Sequence, residues 1–74
     1  MHVDNLIKMA NQIGQYFEAF PDKAEALDGV AMHIKKFWEP RMRRALLEHV
    51  DAAGFDQLNP TTAEAIRQHR ALIA

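Results

Sequence analysis

The sequence predicts an all-α fold over residues 1–74: a small helical bundle of three main helices plus a weaker C-terminal helix. Three observations lead to this class. Apolar residues recur at three- and four-residue spacing along the chain, which is the helical period. Prolines and a glycine divide the chain into segments of ordinary helix length. The connectors between these segments are short, so we expect one domain without a linker.

The first helix is predicted from about Asp4, as N-cap, to Phe20. A glycine at the edge of its apolar face, Gly14, costs about 1 kcal/mol relative to alanine. We therefore expect another helix to approach closely there. The predicted apolar face, with Met9 and Tyr16 as its flank, contains Leu6, Met9, Ala10, Ile13, Tyr16, Phe17 and Phe20.

The second helix is predicted from Lys23 to Trp38, after a capping box in which Asp22 is followed by Glu25 three residues later. Its charges suit the helix dipole, because acids lie early and Lys35 and Lys36 lie late. The residues predicted to be buried are Leu27, Val30, Ala31, Ile34, Phe37 and Trp38.

The third helix is predicted from Pro40 to Ala53, ending at Gly54. Its apolar face is ambiguous: one choice includes Met42, Leu46, His49 and Ala53, and the other includes Arg43, Leu46, Leu47 and Val50.

The fourth helix is predicted to begin with Asn59 as cap and Pro60 at its first position. It has few large apolar residues, so we expect it to be the least stable element.

Composition excludes several functions. The chain has no cysteine, so it can form no disulfide and no thiolate metal ligand. The carboxylates are scattered and no serine is present, so we predict no catalytic residues and no enzymatic activity. No apolar run approaches a membrane span, and the N-terminal residues do not resemble a secretory signal, so we expect a cytoplasmic protein. No two histidines lie four residues apart, so we predict no metal site on a helix among His2, His33, His49 and His69.

The charges of the third helix oppose its dipole. Its arginines lie at the positive end, while Glu48 and Asp51 lie near the negative end, at a cost of about 0.3–1 kcal/mol per exposed charge. Such violations tend to mark functional surfaces. We therefore predict a protein-binding surface, and expect Arg43→Ala to weaken association while leaving the domain folded or slightly more stable. The predicted partner-binding residues are Phe37, Trp38, Arg41, Arg43 and Arg44.

Two alternative interpretations of this basic cluster remain open. The cluster could be a solvated surface in which Glu39 pairs with Arg43. It could also bind nucleic acid through the third helix, although the net charge of −1 disfavours this. Spare apolar residues such as Met32 and Leu47 favour a homodimer when a partner is missing.

Two segments resemble a known family: Met-Ala-Asn-Gln-Ile-Gly at residues 9–14 and Phe-Trp-Glu-Pro-Arg-Met-Arg at residues 37–43. They are similar to the delta subunit of soluble NAD-dependent, molybdenum-containing formate dehydrogenases, and the similarity is weakest after Gly54. The resemblance implies a non-catalytic accessory subunit that docks on the catalytic (alpha) subunit, stabilising it or assisting cofactor insertion, with a transient maturation chaperone as the alternative.

In that family the redox groups belong to other subunits. The resemblance implies a molybdenum bis-pterin guanine dinucleotide and iron–sulfur clusters in the catalytic subunit, with FMN and the NAD site in the diaphorase subunits. It implies no cofactor in this chain, and no residue role is carried over from the family.

Overall fold

The computed structural model describes residues 2–74, and their regular structure consists of four α-helices without a strand. The predicted all-α class is therefore confirmed. The helices are α1 (Val3–Phe17), α2 (Lys23–Phe37), α3 (Pro40–Ala53) and α4 (Pro60–Ile73). Residues from all four helices contribute to one apolar core. The radius of gyration is 11.0 Å, close to the ~11 Å expected for a folded chain of this length.

Helix boundaries follow the local signals, with two corrections in α1. Asp4 lies in the first turn and the N-cap is His2, so the predicted cap was wrong. The helix also ends at Phe17, because a tighter turn, in which the Phe20 N–H donates to the Phe17 carbonyl at 3.0 Å, precedes Pro21. Proline disfavours helical geometry in the residue before it, here Phe20, so the helix could not extend through Phe20 as predicted.

Side-chain caps were predicted correctly at α2 and α4. Asp22 Oδ1 accepts hydrogen bonds from the backbone N–H groups of Ala24 and Glu25 at 2.9 and 3.3 Å. Asn59 Oδ1 accepts one from the Thr62 N–H at 2.8 Å. Gly54 follows α3 at φ 84°, a conformation that glycine adopts without the steric cost of a side chain.

The fourth helix is as long as α3 and forms its largest contact with α2. Small side chains, including Ala63 and Ala65, are buried along it and permit this close contact. Ile66 and Ile73 supply the large buried groups. The small side chains of α4 thus allow it to pack closely on α2. That α4 is the least stable helix stays a prediction.

A polar contact joins the start of α4 to α1. The Asn59 N–H donates to Asn11 Oδ1 at 2.8 Å, and Asn59 Nδ2 donates to the Asn11 carbonyl at 2.9 Å. Thr62, which is fully buried, donates through its hydroxyl to the Ala10 carbonyl at 3.1 Å. A Cβ at Gly14 would overlap Thr62 Oγ1 and lie 2.7 Å from Asn59 Oδ1. The predicted close approach at Gly14 is confirmed.

Three large apolar residues that were predicted to be buried are exposed: Met9, Tyr16 and Phe37. Phe37 is the last residue of α2, and the next residue, Trp38, leaves the helix in an extended conformation and enters the core. The two side chains therefore separate at this point. Leu47 is buried and is not a spare apolar residue.

On α3, the buried residues are Leu46, Leu47 and Val50, which belong to the second of the two predicted faces. Of the first face, Met42 packs partly buried against the core and Ala53 is exposed.

Candidate partner-binding surface

The turn between α2 and α3 forms a corner that Arg43 holds together. Its Nη1 donates hydrogen bonds to the carbonyls of Lys35 and Trp38, at 2.9 and 3.2 Å. These carbonyls belong to the C-terminal end of α2, where the last four have no partner inside the helix. The guanidinium also lies at the negative end of the α2 dipole. Arg43 thus violates the dipole rule of its own helix while satisfying that of its neighbour.

The ion pair between Glu39 and Arg43, which one interpretation of the sequence predicted, does not form within the described chain. Glu39 is the exposed N-cap of α3 and its side chain makes no capping hydrogen bond. Arg43 is directed to the carbonyls instead, because they are fixed in position by α2. Its Nε is buried and has no hydrogen-bond partner.

Asp51, an acid near the negative end of the α3 dipole, also has a partner on a neighbouring helix. Its carboxylate lies 2.7 Å from Nη2 of Arg70 on α4. Both side chains are exposed, so the pair contributes little to stability.

Trp38 and Phe37 occupy different environments. Trp38 is only 5% exposed and belongs to the core. Phe37 is 72% exposed, and its ring lies against His33, with a centroid distance of 4.8 Å. The structure therefore places Phe37 on the surface and makes Trp38 part of the support beneath it.

The other cations of the cluster remain unpaired within residues 2–74. Arg41 and Arg44 are exposed in the first turns of α3, and Lys36 is exposed next to Phe37. No carboxylate of the described chain lies within 4.0 Å of their charged nitrogens or that of Lys35. Hydrogen bonds within the chain therefore explain the position of Arg43. No ion pair of the described chain explains the positions of Arg41, Arg44 and Lys36.

A groove of about 550 Å³ lies between α1 and α2 beside this corner. Trp38 contributes to it although almost all of its surface is buried. The groove is mostly apolar, and its polar groups include the side-chain amide of Gln12, the imidazole of His33 and the hydroxyl of Tyr16. Its lining residues are Met9, Gln12, Ile13, Tyr16, His33 and Trp38.

Comparison with known proteins decides the family. A family model described as "NADH-dependant formate dehydrogenase delta subunit FdsD" matches residues 5–66 of the 74-residue chain. The chain belongs to this delta-subunit family. No curated protein and no solved structure matches it.

The match confirms the resemblance read from the sequence, and it includes residues after Gly54, where that resemblance is weakest. The two segments that carried the resemblance have structural roles in this delta-subunit family member. Asn11 and Gly14 of the first segment bind and accommodate the start of α4. Trp38 and Arg43 of the second hold the α2–α3 corner.

Other candidate sites in this family member are weaker. Within residues 2–74, no three His, Asp or Glu side chains come together in a group that could bind a metal ion. No described helix is long and apolar enough to cross a membrane. Another groove, of about 500 Å³, lies along the polar side of α1 next to Lys8, Asn11 and Gln57.

Sequence reasoning found the corner but missed the groove, because it assigned Met9 and Tyr16 to the core. One signal was available. Met9 and Tyr16 are seven residues apart, so they share a helical face with each other, and both lie on the flank of the buried stripe centred on Leu6 and Ala10. Residues on such a flank are covered only if a neighbouring helix reaches them.

Proposed function

We propose that this chain is a non-catalytic accessory subunit that docks on the catalytic subunit of a formate dehydrogenase. One observation carries the proposal: in a chain of the delta-subunit family, exposed Phe37 lies near Arg41 and Arg44 in the sequence, and these two exposed arginines form no ion pair within residues 2–74. Arginine and aromatic side chains are favoured interface anchors. Arginine also binds carboxylates through two parallel hydrogen bonds, which lysine cannot reproduce.

Trp38 and Arg43 complete the proposed surface by fixing its shape. Trp38 anchors the end of α2 in the core, and Arg43 ties the same end to α3. The corner therefore presents its exposed side chains on a rigid support, which lowers the entropy lost on binding.

The proposed division of labour leaves the chemistry to other subunits. The molybdenum bis-pterin guanine dinucleotide and iron–sulfur clusters would belong to the catalytic subunit, and FMN and the NAD site to the diaphorase subunits. The lack of cysteine in this chain supports that assignment, since iron–sulfur clusters are held by cysteine thiolates.

Purification of the native complex through an affinity tag on this chain tests the proposal. We expect native mass spectrometry to find this chain and the catalytic subunit in equal numbers in the complex that reduces NAD with formate. Recovery with the cofactor-free catalytic subunit alone, and loss from the active enzyme, would instead indicate a transient maturation chaperone. Recovery of nucleic acid without the enzyme would refute docking altogether.

A further inference from the structure

Three large apolar side chains lie in solvent on α1 and α2. Met9, Tyr16 and Phe37 are 39%, 65% and 72% exposed. A contiguous exposed apolar patch on a small protein generally marks an interaction site, whereas single exposed residues do not. Two of them, Met9 and Tyr16, line the groove together with buried Trp38 and half-buried Ile13. The groove and Phe37 are linked through His33, which lines the groove and contacts the Phe37 ring in a tilted arrangement, with a centroid distance of 4.8 Å and an interplanar angle of 41°.

The groove suits an apolar side chain of a polypeptide better than a polar small molecule. Its volume of about 550 Å³ lies within the ~300–1,000 Å³ range of ligand sites. Small-molecule sites, however, generally use a few convergent polar or charged groups to orient the ligand, and no Asp, Glu, Lys or Arg of the described chain lines this groove. Methionine and tyrosine at its rim are residues that adapt to, or pack flat against, a protein partner.

The charge at one end of the groove defines the partner further. Residues 35–44 contain five cations and one carboxylate, Glu39. Lys36 follows His33 by three residues on α2, so the two share a helical face. The carbonyls of Lys35 and Trp38 at the end of α2 already accept hydrogen bonds from Arg43. The neighbouring exposed cations therefore remain available to carboxylates of a partner. A second copy of the chain would bring the same cations to a symmetric contact, where like charges repel.

We propose that this groove receives a segment of the catalytic subunit in which a large apolar side chain is flanked by carboxylates. The apolar side chain fills the space between Tyr16 and Trp38, and the carboxylates face the cations at the α2 end of the groove, with Lys36 on the same helical face as His33. This inference rests on the proposed docking function and specifies the chemistry of the docked segment.

A photo-crosslinker at the groove identifies the occupant directly. A benzophenone-bearing phenylalanine keeps the first ring of Tyr16 and carries a benzoyl group in place of the hydroxyl. Tyr16 is 65% exposed, so this larger side chain can extend into solvent or the groove without entering the core. In the co-expressed complex, we expect crosslinks to a catalytic-subunit peptide that contains a large apolar residue and at least two carboxylates. Crosslinks to a second copy of this chain, to a diaphorase subunit or to a basic peptide would overturn the proposal.

Affinity measurements with matched variants provide a second test. Tyr16→Ala and Lys36→Glu should each weaken binding to the purified catalytic subunit about tenfold or more. Their controls are Gln15→Ala, an exposed neighbour on α1, and Lys8→Glu, which makes the same charge change on the polar side of α1. Both controls should bind within about twofold of the wild type.

The two proposals fail in different ways. If wild-type chain does not bind the catalytic subunit, docking itself is refuted. If wild-type chain binds, and Tyr16→Ala and Lys36→Glu bind as tightly as their controls, docking stands and the groove is not its site. Circular dichroism of each variant establishes that it is folded, so a loss of binding reports on the surface.

Discussion

Replacing Arg43 with alanine separates the structural role of the α2–α3 corner from its role in binding. From the sequence alone, removal of a cation at the positive end of α3 should be neutral or slightly stabilising. The structure reverses the sign. Arg43 Nη1 donates to the carbonyls of Lys35 and Trp38, so the replacement removes two hydrogen bonds from the end of α2. We expect Arg43→Ala to destabilise the isolated chain.

The magnitude follows from three terms. A hydrogen bond from a charged group contributes about 1.5–3 kcal/mol. Because Arg43 and Lys35 are half-buried, water can reach freed carbonyls and recover part of this loss. Relief of the α3 dipole, about 0.3–1 kcal/mol, and removal of the unpaired Nε offset another part. We expect a net loss of about 1–3 kcal/mol, a large fraction of the ~4–11 kcal/mol typical of a chain of this length.

Urea unfolding followed by circular dichroism measures this loss, and the melting temperature should fall by about 4–8 °C for each kcal/mol. Arg44→Ala is the matched control, because it removes the same charge from the same helix and Arg44 makes no hydrogen bond or ion pair within the described chain. It should change stability by less than about 0.5 kcal/mol. Equal stabilities for the two variants would refute the capping role of Arg43.

Three further predictions concern the contacts between helices. Gly14→Ala should destabilise the chain by about 1–3 kcal/mol in thermal unfolding, because overlap with Thr62 outweighs the gain of about 1 kcal/mol in helix propensity; an unchanged melting temperature would contradict the close approach. Asn59→Ala should cost about 1–3 kcal/mol in urea, because the cap to Thr62 and the side-chain hydrogen bond to the Asn11 carbonyl are lost, while the bond from the Asn59 backbone N–H to Asn11 is kept. Asp51→Asn should cost less than about 1 kcal/mol in the same assay, since its bridge to Arg70 is exposed, and a larger loss would show that the pair is more than a surface contact.

The helices could be predicted because their ends are encoded locally. Pro40, Gly54 and the Asn59–Pro60 pair each act within a few residues, and the bounds of α3 were predicted without error. The end of α1 was placed too late, because apolar periodicity continues to Phe20 although Pro21 already distorts the backbone there. Periodicity reports which side chains are apolar and cannot report where the backbone stops being helical.

The partners of Arg43 and Asn11 could not be predicted, because they depend on how helices meet. Arg43 reaches back eight residues to the Lys35 carbonyl across the turn, and Asn11 binds Asn59 over a separation of 48 residues. No local pattern specifies such pairs. The sequence did show that Arg43 was unfavourably placed in its own helix, which drew attention to the corner, but it gave no sign of the hydrogen bonds from Arg43 to the end of α2.

The two segments that carry the family resemblance combine support and surface in alternation. In residues 9–14, Asn11 and Gly14 hold α4, while Met9 faces solvent. In residues 37–43, Arg43 ties two helices together, while Phe37 faces solvent. In the first segment helical periodicity separates inward from outward positions, and in the second the extended backbone at Trp38 and Glu39 does so. One short segment can therefore fix the fold and present a surface.

This arrangement predicts two classes of variant. Changes at inward positions such as Arg43 should lower stability first and binding only as a consequence, whereas changes at Phe37 should lower binding with stability unchanged. Trp38 belongs to both classes, because it lies in the core and also lines the groove. Trp38→Phe should therefore lower both the melting temperature and the affinity for the catalytic subunit. Its effect on the melting temperature should exceed that of Phe37→Leu. A Trp38 variant with native stability and native affinity would break the link between support and surface at this corner.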